Sequence, residues 1–133
     1  MGVAPWFPDG RHVVFAKSYN LVVASTDGPG IKRITDDRDG TLYRPSVSPD
    51  GRWIACDGFS NRYGYGVHVL RADGTAIRRI TTGSGETEND GGASWSPDGR
   101  LIAFSGYRRF AGAGVYVVRR DGTALRRLSN FAR

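Results

Sequence analysis

One cysteine, two histidines, one methionine and no long apolar run are found among 133 residues, and each scarcity removes a class of explanation. A lone Cys56 excludes an internal disulfide and any cysteine-based metal cluster. No stretch approaches the ~18 consecutive apolar residues that a membrane span needs. The start, M-G-V-A-P-W, has neither a charged leader nor an apolar core, so no secretion signal is expected, and Trp6 stands where a myristoylation signal needs Ser or Thr. The expected location is cytoplasmic, or periplasmic or extracellular if the chain is a fragment of a secreted parent. Catalytic patterns are missing as well: there is no G-x-S-x-G elbow, Walker A loop, H-E-x-x-H or paired-carboxylate spacing. The expectation is a chain that is not an enzyme and holds no metal or cofactor.

What the chain has in quantity is Gly (19), aromatic residues (3 Trp, 6 Tyr, 6 Phe) and repetition, which together suit a turn-rich all-β protein. Ala93 to Phe104 reads A-S-W-S-P-D-G-R-L-I-A-F, Pro45 to Cys56 reads P-S-V-S-P-D-G-R-W-I-A-C, and Pro5 to Phe15 reads P-W-F-P-D-G-R-H-V-V-F. Each is a hairpin: Pro sets φ at the turn, Asp bonds to nearby backbone, and Gly takes the positive φ. A second unit follows each. Leu21 to Thr35, Val67 to Thr81 and Val115 to Ser129 run from an apolar strand through Asp-Gly to a short strand ending in apolar, basic, Arg, apolar, Thr or Ser. Four strands per repeat result. The Asp-Gly turns at 27, 73 and 121 give periods of 73 − 27 = 46 and 121 − 73 = 48 residues, the spacing of propeller blades. Blades are expected at about 3–35, 42–81 and 93–129 within one domain.

The S-P-D-G-R-x-I-A-F and D-G-T-x-x-R-R-L/I-T/S runs, in that order, resemble the blade repeat of TolB-type β-propellers, Pro-Asp relatives of the WD-repeat propellers. Related repeats occur in the propellers of the prolyl oligopeptidase and dipeptidyl peptidase families. The resemblance implies an all-β propeller of three four-stranded antiparallel blades, and it implies no single function, since the architecture hosts many. If the peptidase propellers are the relevant ones, the chain is a non-catalytic lid, because no hydrolase domain accompanies it.

The formal charge of +6 does not by itself point to nucleic acid. Nine of the 19 basic residues sit at repeat positions: Arg11, Arg52 and Arg100 after the hairpin turn, and Lys32, Arg33, Arg78, Arg79, Arg126 and Arg127 on the last strand. The last strand of a blade is an open edge, where charge deters edge-to-edge pairing. Cys56 aligns with Phe15 and Phe104 and is expected to be a buried small hydrophobe. His12 and His68 occupy strand positions and are expected to be core or interface residues.

Individuality lies in the variable segments. Five residues (16–20) join the second and third strands of the first repeat, and ten-residue loops (57–66 and 105–114) are expected in the others. With the segments between repeats (36–44 and 82–92), these fall on one face, opposite the short turns, and loops on a rigid scaffold are where recognition sits. That face offers Phe59, Arg62, Tyr63, Tyr65, Tyr107, Arg108, Arg109 and Phe110 as candidate contacts for a partner or ligand. Asp36, Asp37, Asp39, Glu86, Glu88 and Asp90 oppose them; D-D-R-D-G lacks the ligand spacing of a calcium loop. The alternative is that the aromatics pin the loops and the Arg and acid residues tie loop to loop.

Three blades do not close a ring, since closed propellers use about four to eight. Two copies about a two-fold axis would make six, each third blade docking on the other chain's first. The expected assembly is therefore a homodimer, and the expected role is a binding module with a protein or small-molecule partner and no membrane. The alternatives are a propeller fragment of a larger hydrolase or a propeller enzyme with a site in its channel.

Overall fold

The computed structural model describes residues 4–81, 90–108 and 112–130. Eleven strands and no helix form among them: β1 (His12–Lys17), β2 (Asn20–Ser25), β3 (Ile31–Arg33), β4 (Gly40–Val47), β5 (Trp53–Ser60), β6 (Gly64–Arg71), β7 (Arg78–Arg79), β8 (Gly91–Trp95), β9 (Leu101–Arg108), β10 (Gly112–Arg119) and β11 (Arg126–Asn130). They make three antiparallel sheets in sequential order, β1 to β3, β4 to β7 and β8 to β11. In the first sheet the innermost strand is reduced to one bridge, Trp6 to Val13. Inner strands β4 and β8 touch one another, so the sheets converge at that edge.

The Pro-Asp-Gly turns form as their residues dictate. Asp9, Asp50 and Asp98 each accept the backbone N–H two residues on, at 2.8, 3.0 and 3.0 Å. Ser48 and Ser96 donate their hydroxyls to Asp50 and Asp98, then accept the N–H of Trp53 and Leu101 and so lock the strand that leaves the turn. The Asp-Gly-Thr turns use the same device, with Asp73 and Asp121 holding Thr75 and Thr123.

Two cores fill the spaces between sheets. Val14, Leu21, Leu42, Ile54, Cys56 and Leu70 join the first to the second. Ala55, Val67, Val69, Ile80, Ile102, Phe104 and Tyr116 join the second to the third. Alternation along β5 sends Ile54 and Cys56 one way and Ala55 the other, so a single strand serves both cores. Burial pushes the Cys56 thiol far up, which leaves it an inert apolar side chain.

The contacts between sheets repeat. A Cβ placed on Gly51 would lie 3.2 Å from Pro8, and one on Gly99 would lie 3.7 Å from Pro49. Gly74 abuts the Ile34 carbonyl, and a Cβ on Gly122 would lie 3.1 Å from that of Ile80. Gly10 and Gly28, the same positions in the first sheet, meet nothing within 4 Å among the described residues. Apolar positions follow suit. Ile77 and Leu125 pack on the preceding sheet while Ile31 is 68% exposed; Ile34 and Ile80 pack on the following sheet while Leu128 is 53% exposed. The arc thus ends in two unlike surfaces, each half of a contact made twice inside it.

The long connections differ from expectation. Segments 57–66 and 105–114 are largely strand, because β5 and β6 pair from Trp53 with Arg71 out to Ser60 with Gly64, and β9 and β10 out to Arg108 with Gly112. Only 61–63 remain as a turn in the second sheet. In the first, Ser18 (φ 51°) and Tyr19 (φ 63°) form a two-residue hairpin turn with both φ values positive, the twist-compatible type.

Candidate functional site

The extended hairpins carry the face opposite the short turns. Phe59 and Tyr65 are cross-strand partners whose rings meet edge to face with centroids 4.9 Å apart. Arg62 lies over the Tyr63 ring at 5.4 Å. Tyr63, Tyr65 and Tyr107 are 36%, 49% and 44% exposed, so these three present aromatic surface to solvent. Arg108 does not. It is buried, and its guanidinium pairs with buried Asp90 through two bonds of 2.8 and 2.9 Å, while lying over Phe104 and Tyr116. A largely buried ion pair holds the hairpin to its own sheet; that is loop tying loop, the alternative reading at this position. Arg109 and Phe110 lie outside the described residues, as do Glu86 and Glu88.

The remaining acids are engaged. Asp36 accepts from Arg38, and Asp39 caps the Asp36 N–H at 2.8 Å. Asp37 accepts from the buried Asn20 amide at 2.9 Å. The segment is a folded turn that seats β2.

A second group, which the sequence reading passed over, lies where β4 and β8 meet. Asp57 is 1% exposed; its carboxylate accepts the Gly92 N–H at 3.1 Å and Arg44 Nε at 2.6 Å. It therefore ties its own inner strand to the backbone of the next blade. Burial pushes its pKa up, against the pull of the Gly92 and Ala93 amides and the Arg44 charge. Arg44 has φ 50°, at a break in strand register that falls on Gly92 (φ 69°) in the next blade. A side chain held in the left-handed region costs about 1 kcal/mol, and the buried carboxylate retains it. The guanidinium stays 56% exposed and lies 5.6 Å over the Tyr43 ring, which meets Tyr19 edge to face at 6.1 Å. The legible signal was the alignment of Arg44 with Gly92, a charged residue where the sister repeat needs glycine.

The histidines divide. His68 is fully buried, its Nδ1 donating to the Gly66 carbonyl at 3.0 Å and its Nε2 accepting from Ser60 Oγ at 2.9 Å. Burial takes its pKa down to about 4, so it is neutral. Hydroxyl and imidazole are paired as in a nucleophile and base, but both are sealed from solvent. His12 is no core residue: it opens β1 just after the first turn, with Nδ1 2.7 Å from Asp9, and its side chain is 42% exposed.

Sheets that converge at their inner strands, with the short turns on one face and long hairpins on the other, define a β-propeller arc of three blades; among the described residues the first blade's inner strand is the single bridge of Trp6 to Val13. No family model matches the chain, and no curated protein matches it. Solved structures do. TolB from Acinetobacter baumannii superposes with TM-score 0.73 at 20% identity, covering 96% of this chain and 32% of that one. Oligogalacturonate lyase from Vibrio parahaemolyticus gives 0.75 at 14% identity, over 97% and 40%. Puromycin hydrolase gives 0.71 at 19% identity, over 96% and 22%. The fold is that of a β-propeller, shared with TolB and with these enzymes' propellers, and the chain spans well under two thirds of each of these relatives.

Proposed function

We propose that the chain is a binding module that closes a six-bladed ring with a second copy of itself and presents its hairpin face to a protein segment or small ligand. The observation that carries this is the pair of unmatched ends. Trp95 packs on the second blade and donates its indole N–H to the Ser46 carbonyl at 3.0 Å. Trp6, its counterpart by turn alignment, is 58% exposed. In the ring, Trp6 of one copy meets the Ser94 carbonyl of the other, Ile31 covers the blade bearing Leu128, and Gly28 seats on the strand that carries Leu128. The glycine and isoleucine contacts are those already made twice within the chain, and the tryptophan contact is the one Trp95 makes on Ser46. On the hairpin face, exposed Tyr63, Tyr65 and Tyr107 with Arg62, and separately Arg44 with Tyr19 and Tyr43, supply the aromatic and guanidinium mixture of binding hot spots. Light scattering tests the assembly: about 29 kDa, twice the 14.5 kDa chain, is expected at micromolar concentration. Substituting Tyr63 and Tyr65 with Ala tests the face, and is expected to abolish partner capture while leaving the mass unchanged.

A second reading has its own support in the 22% coverage of puromycin hydrolase. The arc would be part of a longer propeller chain whose further blades cover the same two ends. A folded 14.5 kDa monomer would favour it.

A further inference from the structure

We propose that the opposite face, the one made of short turns, holds a binding site for a phosphate dianion in the groove between the second and third blades. The site stands apart from the ring-closing ends and the hairpin face. It is a cavity of about 510 Å³ lined by Asp50, Arg52, Trp53, Arg71, Ala72 and Asp73 of the second blade and Arg120 of the third, three arginines against two aspartates.

Three features point to an anion. The guanidiniums of Arg71 and Arg120 both approach one indole, Trp53, at 5.6 and 4.3 Å from the ring centre. Cation–π attraction accounts for either alone; bringing two like charges to one ring is favourable with a counter-charge between them. Next, the carboxylates at hand are hydrogen-bonded first within their own turns, and the charges of Arg52 and Arg120 reach Asp50, and that of Arg71 reaches Asp73, only from beyond ion-pair distance. Asp50 accepts from the Ser48 hydroxyl and the Arg52 amide, and Asp73 from the Thr75 hydroxyl and amide, which holds both below the usual carboxylate range. Arg11, the counterpart of Arg52, does pair with Asp27 at 3.6 Å, whereas among the described residues Arg52, Arg71 and Arg120 make no ion pair of 4 Å or less. Third, the wall is not a by-product of the repeat. At the first groove the positions of Trp53, Arg71 and Arg120 are His12, Ser25 and Ala72, so only Arg11 remains basic.

Charge and shape select the ligand. A neighbouring cavity of about 480 Å³, which shares Arg120, adds Arg100, Arg119 and Asp121. Together the two hold five arginines (52, 71, 100, 119, 120) and three aspartates (50, 73, 121), a net +2 that one dianion neutralises. Planar guanidinium forks suit the oxygens of phosphate, and three of them offer more donors than a two-oxygen carboxylate accepts. The ligand is inorganic phosphate or the phosphate of a small monoester.

The test is a titration with inorganic phosphate, methyl phosphate and acetate at constant ionic strength, read by tryptophan fluorescence and calorimetry. Saturable binding of either phosphate, at least roughly tenfold tighter than acetate, is expected for charge-assisted multidentate contacts. Arg120→Ala places here the residue the chain itself uses at position 72 and is expected to weaken phosphate binding at least tenfold. Arg52→Ala, which leaves the Trp53 stack intact, is expected to do the same. Arg62→Ala on the other face is expected to change nothing. Binding is expected whether the protein is a dimer or a monomer, because the wall belongs to one chain. Absence of saturation, equal affinity for acetate, or unchanged affinity in both Arg52→Ala and Arg120→Ala would overturn the proposal.

Discussion

Leu128→Asp is the sharpest perturbation of the proposed ring, because Leu128 is 53% exposed where its counterpart Ile80 is 1% exposed. Covering the remaining half of a leucine is worth about 1 kcal/mol at each seam. Asp forfeits that and strands a carboxylate in an apolar contact, at a cost of about 3 kcal/mol or more. Two-fold symmetry counts every substitution twice, so the loss is on the order of 8 kcal/mol, a dissociation constant raised more than ~10⁵-fold. Sedimentation or light scattering at micromolar concentration should move from about 29 kDa to the 14.5 kDa of one chain. The β-sheet circular dichroism should persist, since Leu128 belongs to neither internal core. A variant that stays dimeric would refute the seam, and with it the use of the internal contacts as its template.

Trp6→Phe keeps the apolar body but removes the indole donor, so the dimer should weaken by about 1 kcal/mol per seam, roughly thirtyfold over two, in a dilution series. Arg44→Gly relieves about 1 kcal/mol of backbone strain but leaves Asp57 without its cation; we expect a net loss of about 2 kcal/mol in urea unfolding, and a gain would show that the pair is not what holds Arg44. His68 should make stability fall as pH drops: the unfolded imidazole takes a proton near its ordinary 6.5, the folded one near 4, so about 3 kcal/mol is lost between those values. His68→Val, with the residue found at position 22, should remove that slope, and an unchanged slope would assign it to another group. Asp57, whose pKa is raised, acts in the opposite sense above 3.8, so the difference between the two curves isolates His68.

Much of the architecture was readable because turns are short-range chemistry. Pro-Asp-Gly and Asp-Gly-Thr fix hairpins within four residues, and three copies at a steady spacing leave little besides blades. The hairpins at 57–66 and 105–114 were misjudged as loops because their glycines look like breakers. In the fold Gly58 (φ 129°) and Gly66 (φ 150°) lie inside strands, where a Cβ would overlap the Thr41 carbonyl and the Thr81 hydroxyl. Glycine there permits close approach instead of ending the strand. Arg108 was misplaced for a related reason, since its partner Asp90 sits 18 residues away across a hairpin edge and no local rule links them. The Arg44 and Asp57 pair joins neighbouring strands of one blade and then reaches β8, a geometry fixed only when blades stack. The arginine groove spans Arg52 to Arg120, two blades that alignment treats as copies, and its distinctiveness shows only when their differences are placed side by side.

The two ends of the arc are unlike, and this has a consequence for mixtures. A copy spoiled at Leu128 keeps its leading surface, with Trp6 and Ile31, intact. In the proposed ring such a copy would seat on the trailing blade of a healthy chain but leave the other seam spoiled. By the energies above, that mixed pair would be about 4 kcal/mol weaker than a healthy pair, so in co-expression the healthy chains would pair with one another and lose little to the spoiled copy, and a lesion on the turn face, remote from both ends, would leave the pairing untouched.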